Sequence, residues 1–87
     1  MTISSQGTRA FWELYCDLPL EVRELARKAF RRWQRDPFHP SLHFKKVGND
    51  NWSVRVGLNY RAIGNFAKDG TFVWEWIGSH ADYDKRV

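Results

Sequence analysis

The chain has 87 residues, with 14 Lys and Arg against 10 Asp and Glu and a formal net charge of +4. One apolar core is all that this length can bury, so a single domain over residues 1–87 is expected. The 43% apolar and 16% aromatic content is enough to offset the entropy of ordering, which excludes a disordered chain.

A single cysteine excludes an internal disulfide and a cysteine-based zinc tetrad. No apolar run approaches the roughly 20 residues of a membrane span, and the first residues carry no signal-peptide pattern. A cytoplasmic protein without membrane contact is the expectation. The charge is uneven. Residues 20–35 hold Arg23, Arg27, Lys28, Arg31, Arg32 and Arg35 against Glu21 and Glu24, and residues 42–66 hold Lys45, Lys46, Arg55 and Arg61 against Asp50 alone. A basic middle favours a polyanionic partner, either nucleic acid or an acidic protein segment.

Residues 1–7 are small and polar and read as a loose tail, with a short edge strand as the alternative. Phe11, Leu14, Tyr15 and Leu18 then follow at i, i+3, i+4 and i+7, the stripe of a first helix, with Thr8 placed to cap it. Cys16 lies beside that stripe and is expected to be a small buried filler. Asp17-Leu18-Pro19 ends this helix and opens a second, because proline fits a first turn where no donor is needed. Val22, Leu25, Ala26, Ala29, Phe30 and Trp33 form its apolar face. The short connection predicts a helix hairpin, closed at its far end by Pro37 and Pro40.

The period then changes to two. A strand is predicted over 42–47, with Leu42 and Phe44 on one side and His43 and Lys45 on the other. A second follows over 52–56, with Trp52, Val54 and Val56 inward and Arg55 outward. A third spans 60–66 and a fourth 71–77. Turns at 48–51, 57–59 and 68–70 are short, so the strands must run antiparallel. Residues 78–87 read as a polar tail or one to two helical turns. The expected fold is α+β: an N-terminal helix hairpin packed on an antiparallel sheet of about four strands.

His39 and His43 flank Pro40 and cannot share a helix face, so they do not form a metal pair. No phosphate-binding glycine loop or nucleophile elbow is present. The candidate chemistry lies on the basic strands. Lys45, Arg55 and Arg61 fall on alternating positions of neighbouring strands, where cations crowd one another unless an anion offsets them. His80 supplies an imidazole able to take or give a proton, and the Tyr83 hydroxyl can order a phosphate. RNA cleavage needs little more, because the attacking 2′-hydroxyl belongs to the substrate. Neither a metal nor another cofactor is required.

Leu18-Pro19 before a basic helix, Asp36-Pro37-Phe38-His39-Pro40-Ser41-Leu42, Trp52-Ser53-Val54-Arg55-Val56, Tyr60-Arg61-Ala62 and Trp76-Ile77-Gly78-Ser79-His80 followed by Tyr83-Asp84 occur in this order. Together they resemble the RelE/ParE superfamily of type II toxins, from about residue 8 to the end. The resemblance implies a toxin neutralised by a cognate antitoxin with an acidic or amphipathic segment. RelE-like members cut mRNA on the ribosome without metal and so inhibit translation, whereas ParE-like members poison DNA gyrase. It further implies Arg55 and Arg61 as phosphate stabilisers, His80 as acid or base and Tyr83 as an orienting or stacking group. Lys45 and Lys46 would be phosphate-binding groups and His43 a second proton-transfer group. An mRNA endoribonuclease, a non-catalytic gyrase inhibitor and a protein-binding module without activity remain the alternatives.

Overall fold

The computed structural model describes residues 3–86. In chain order it contains β1 (Ser5–Gly7), α1 (Arg9–Cys16), α2 (Leu20–Arg35), a 3-10 turn (Pro40–Leu42), β2 (Lys45–Lys46), β3 (Asn51–Val56), β4 (Tyr60–Phe66), β5 (Phe72–Ser79) and α3 (His80–Arg86). The strands form one sheet in the order β1-β5-β4-β3-β2. The α+β expectation holds. Its sheet has five strands rather than about four, and it is mixed, because β1 runs parallel to β5 while the other pairs are antiparallel.

Part of the expected loose tail is therefore the edge strand β1. Its three residues show no apolar alternation, because main-chain hydrogen bonds alone hold them. Phe72 N donates to Ser4 O at 2.8 Å and Thr8 N to Trp74 O at 2.9 Å. Residues 1 and 2 of the expected tail lie outside the described residues. Gly7 is needed here, since a Cβ would stand 2.7 Å from the Trp12 indole nitrogen and 2.9 Å from the Phe11 ring.

The helix boundaries follow local chemistry. Phe11 N donates to the Thr8 hydroxyl at 3.1 Å, so Thr8 caps α1 as expected. Pro19 is the N-cap of α2, and Arg32 and Arg35 occupy its last turn, where the helix dipole favours cations. Cys16 is exposed, not a buried filler, because it falls one residue beyond the face that α1 turns to the sheet. Both helices pack on one face of the sheet, where Phe11, Val22, Ala26 and Trp33 are buried.

The predicted strand over 42–47 is mostly something else. Pro40 starts a 3-10 turn, and His43 then adopts a left-handed conformation at φ 47°, which leaves only Lys45 and Lys46 to pair with β3. Leu42 and Phe44 are both buried, so the apolar pattern marked the core but not the element.

An aromatic cluster fills the space between helices and sheet. Trp33 and Phe72 are fully buried, with ring centroids 5.2 Å apart; Trp74 lies 5.1 Å from Trp33 and 4.6 Å from Phe72. Edge-to-face pairs of this kind add about 0.5–1.5 kcal/mol each beyond burial.

The sheet's opposite face is not simply open. α3 packs there, burying Tyr83 against Ile63 and Trp76. A bulge makes this possible. Ile63 pairs with Trp76, but its neighbour Gly64 pairs with Trp74, so Glu75 is an extra residue on β5. Trp74 consequently joins the helix-side core and Trp76 the α3 side, although they are only two residues apart.

Trp33→Ala should cost about 3–5 kcal/mol in a urea unfolding series, as expected for an emptied aromatic site. Trp33→Phe should cost markedly less, because the buried indole N–H has no hydrogen-bond partner to lose.

Candidate functional site

Three consecutive strands build the site. Arg55 on β3 faces Arg61 on β4, and Arg61 faces Gly78 on β5. Directly opposed residues share a sheet face, so both arginines lie on the face that α3 covers in part. Both are half-buried. Beyond Ser53 the partner strand β2 has ended, so Arg55 sits at an open edge of β3. The Arg55 Nε donates to Gly57 O at 3.4 Å and one terminal nitrogen to His43 Nε2 at 3.2 Å. Arg61 donates to Tyr60 O at 2.9 Å. Each guanidinium is thus tethered by neutral acceptors, and among the described residues neither has an ion pair.

Burial, and then the charge of Arg55, hold the Arg61 guanidinium below its ordinary pKa. The charged form is therefore disfavoured in the folded protein. The penalty is present at any pH where arginine is charged in the unfolded chain, so it is constant across the neutral range. An anion settling between the two groups would relieve it.

His80 is the first residue of α3, and its main-chain N donates to Asn59 O at 2.7 Å, which fixes it beside the β3–β4 turn. Its Nδ1 lies 3.1 Å from Asp84 Oδ2, one helical turn later. A carboxylate accepts, so Nδ1 carries the proton and Nε2 of the neutral ring is the free acceptor. The imidazole is 5.9 Å from the Tyr83 ring, and Arg61 lies over the same ring at 6.0 Å. The Tyr83 ring therefore neighbours both His80 and Arg61.

Its hydroxyl does not face a substrate. Tyr83 is buried, and the hydroxyl donates to the buried Ser53 Oγ at 3.2 Å. Its ring packs with Ile63 and Trp76 and so anchors α3 near Arg61 and His80. Lys45 pairs with Ser53 and stands exposed on the Arg55 face. Lys46 pairs with Trp52, which belongs to the helix-side face. Lys46, also expected among the phosphate-binding groups, thus falls on the side of the sheet opposite to Arg55, since adjacent strand residues point to opposite sides. His43 stays exposed at the rim. Accepting from Arg55 through Nε2 leaves its Nδ1 protonated, so it lacks the free acceptor that His80 has.

Sequence reasoning missed Asp84 as the partner of His80 and Ser53 as the anchor of Tyr83. The i, i+4 spacing of His80 and Asp84 was a usable signal once a C-terminal helix is assumed. Nothing local marked Ser53, which is 30 residues from Tyr83. Among the described residues no group of three or more His, Cys, Asp or Glu is placed to hold a metal, and no helix is long and apolar enough to cross a membrane.

A second concavity, of about 350 Å³, lies between α1, α2 and the sheet. Its walls are mainly apolar, including Phe11, Phe30, Val54 and Trp74, with Tyr15 and Arg27 among the polar residues that line it.

Tyr83→Phe should lose about 1–3 kcal/mol, because the Ser53 hydroxyl would be left buried without its donor. Pairing it with Ser53→Ala should recover much of that loss in the same urea titration. Arg61→Gln should leave stability unchanged or raise it by no more than about 0.5 kcal/mol, since solvent screens this half-exposed pair.

Comparison with known proteins agrees with this architecture. A search of the curated proteins finds no match in sequence. Among solved structures, a chain of the toxin–antitoxin complex RelBE2 from Mycobacterium tuberculosis superposes with a TM-score of 0.73 at 18% identity, covering 92% of this chain and 100% of that one. A variant of the Escherichia coli toxin RelE in the free state gives 0.72 at 17% identity, covering 100% and 99%. The YoeB/ParE toxin from Agrobacterium tumefaciens gives 0.70 at 15% identity, covering 90% and 99%. These likenesses establish a common fold. The sequence itself matches the ParE-like toxin domain over residues 20–85, and with that match over most of its length the chain belongs to the ParE-like toxin domain family, within the RelE/ParE superfamily.

Proposed function

We propose that the protein is the toxin of a type II toxin–antitoxin pair and cleaves mRNA on the ribosome. The observation that carries this reading is the Arg55–Arg61 pair. It places two cations face to face on adjacent strands with neutral tethers, beside an imidazole whose Nδ1 is held by Asp84. A scissile phosphate between the guanidiniums would have its developing charge offset by both. His80 Nε2 would take the proton of the ribose 2′-hydroxyl, whose oxygen attacks the adjacent phosphorus. The P–O5′ bond then breaks, leaving a 2′,3′-cyclic phosphate and a 5′-hydroxyl. The departing oxygen takes a proton from a general acid or from water, with His43 at the rim as the nearest second histidine to Arg55. The nucleophile comes from the substrate, so these steps assign no role to a metal or other cofactor.

The partner of such a toxin is an antitoxin. The similar solved structures include toxin–antitoxin complexes, which supports a partner with an acidic or amphipathic segment for this chain as well. The cytoplasm, where ribosomes and mRNA are found, is the corresponding location.

Inhibition of DNA gyrase without catalysis is the second reading, favoured by one observation: the matching family model is ParE-like. The two readings part at His80. Induced expression in a bacterial host should arrest growth and translation, with new mRNA ends mapping to ribosome-bound sites. His80→Ala or Arg55→Ala should lower cleavage by about 10²–10⁴-fold and relieve the arrest while the protein stays folded. Signalling of DNA damage with full toxicity of His80→Ala would instead establish the gyrase reading. Absence of any growth effect from the wild-type chain would reduce it to a protein-binding module.

A further inference from the structure

Arg55 belongs to a second feature. On its open side lies a wide cleft of about 930 Å³, bounded by the second half of α2, the segment through the 3-10 turn and the β3–β4 turn. Five cations line it, namely Lys28, Arg31, Arg32, Arg35 and Arg55, against the single carboxylate of Asp36. Among the described residues none of the five forms an ion pair. Arg32 instead lies against the His39 ring, 3.1 Å from Nε2, and that ring is fixed by Ser41, whose main-chain N donates to Nδ1 at 3.1 Å.

This arrangement runs against helix stability. Arg31 and Arg35 stand at i, i+4, as do Lys28 and Arg32, and like charges at that spacing repel. The helix dipole accounts for cations in the last turn, where Arg32 and Arg35 lie. It does not account for Lys28 and Arg31, nor for a concave wall that turns both pairs toward Arg55.

We infer that this cleft binds the sugar–phosphate backbone of the single-stranded RNA whose scissile phosphate sits at Arg55 and Arg61. Arg55 would be the shared residue, reaching the sheet face on one side and the cleft on the other. Four of the five cations are arginines, whose planar donors suit phosphate oxygens. The lining offers few apolar side chains, Leu58 being the exposed one. An amphipathic protein segment would need more of them, so RNA fits this surface better. The inference rests on the ribonuclease reading for the identity of the strand, but binding can be measured without cleavage.

The test uses the full chain and a fluorescent single-stranded RNA of about twelve nucleotides with 2′-O-methyl groups, which cannot be cleaved. Binding is followed by anisotropy across a salt series. Arg31→Gln with Arg35→Gln should weaken binding roughly tenfold at about 0.1 M salt. The slope of log affinity against log salt should also become shallower by about 1.4, two phosphate contacts at roughly 0.7 each. A control that neutralises Arg9 and Lys68, outside the cleft, should change neither by a comparable amount. The inference is overturned if the cleft variant binds like wild type, or if the control loses as much. It is also overturned if a polyglutamate peptide of equal length loses affinity for the cleft variant while RNA does not, which would assign the cleft to an acidic protein segment. Binding of the uncleavable RNA is scored separately from cleavage of ribosome-bound mRNA by the wild-type chain, so a failed ribonuclease reading and a failed cleft give different results.

Discussion

The architecture of the site depends on one irregularity in β5. With regular pairing, Trp74 and Trp76 would face the same side of the sheet. Glu75 is inserted at the bulge opposite Ile63 and Gly64, and the two indoles part. Gly64 permits this, since a Cβ there would collide with the Phe72 ring and stand 2.5 Å from Val73 O. Trp74 completes the aromatic core beneath α1 and α2. Trp76 supports α3, where Arg86 lies over its ring at 5.0 Å. Without the second apolar face there would be nothing for Tyr83 to pack on, and His80 would not be held beside Arg61.

The resulting surface combines stability with a local conflict. Tyr83, Ile63 and Trp76 are buried and Tyr83 is anchored through Ser53, so the base beneath the site is firm. On that base two guanidiniums face each other, and burial and mutual repulsion disfavour the charge on Arg61. Proteins retain such conflicts where a ligand resolves them. Under the proposed function the ligand that would resolve it is an anion, the scissile phosphodiester.

α2 has a comparable division of labour. One face buries Val22, Ala26 and Trp33 and holds the core together. Another collects arginines and a lysine toward the open edge of β3. The early end of β2 joins these surfaces, because a longer strand would have covered Arg55. The turn from Pro40 and the left-handed His43, which precede β2, keep it from extending toward Arg55.

Local chemistry in the sequence determined the helices, their breaks at Pro19 and after Arg35, the Thr8 cap, and the inward and outward sides of β3. Periodicity and capping act over a few residues, so they can be read without the fold. The order of motifs placed Arg55, Arg61 and His80 in one family pattern before any geometry was known. Only the tertiary structure decided that Ser5–Gly7 is a strand, because its main-chain pairing with β5 leaves no side-chain signature. Only it showed that Lys46 points away from Arg55, that Tyr83 gives its hydroxyl to Ser53, and that Asp84 holds His80. These depend on strand register, on a single inserted residue and on contacts between segments far apart in the chain, and no local pattern of residue types encodes them.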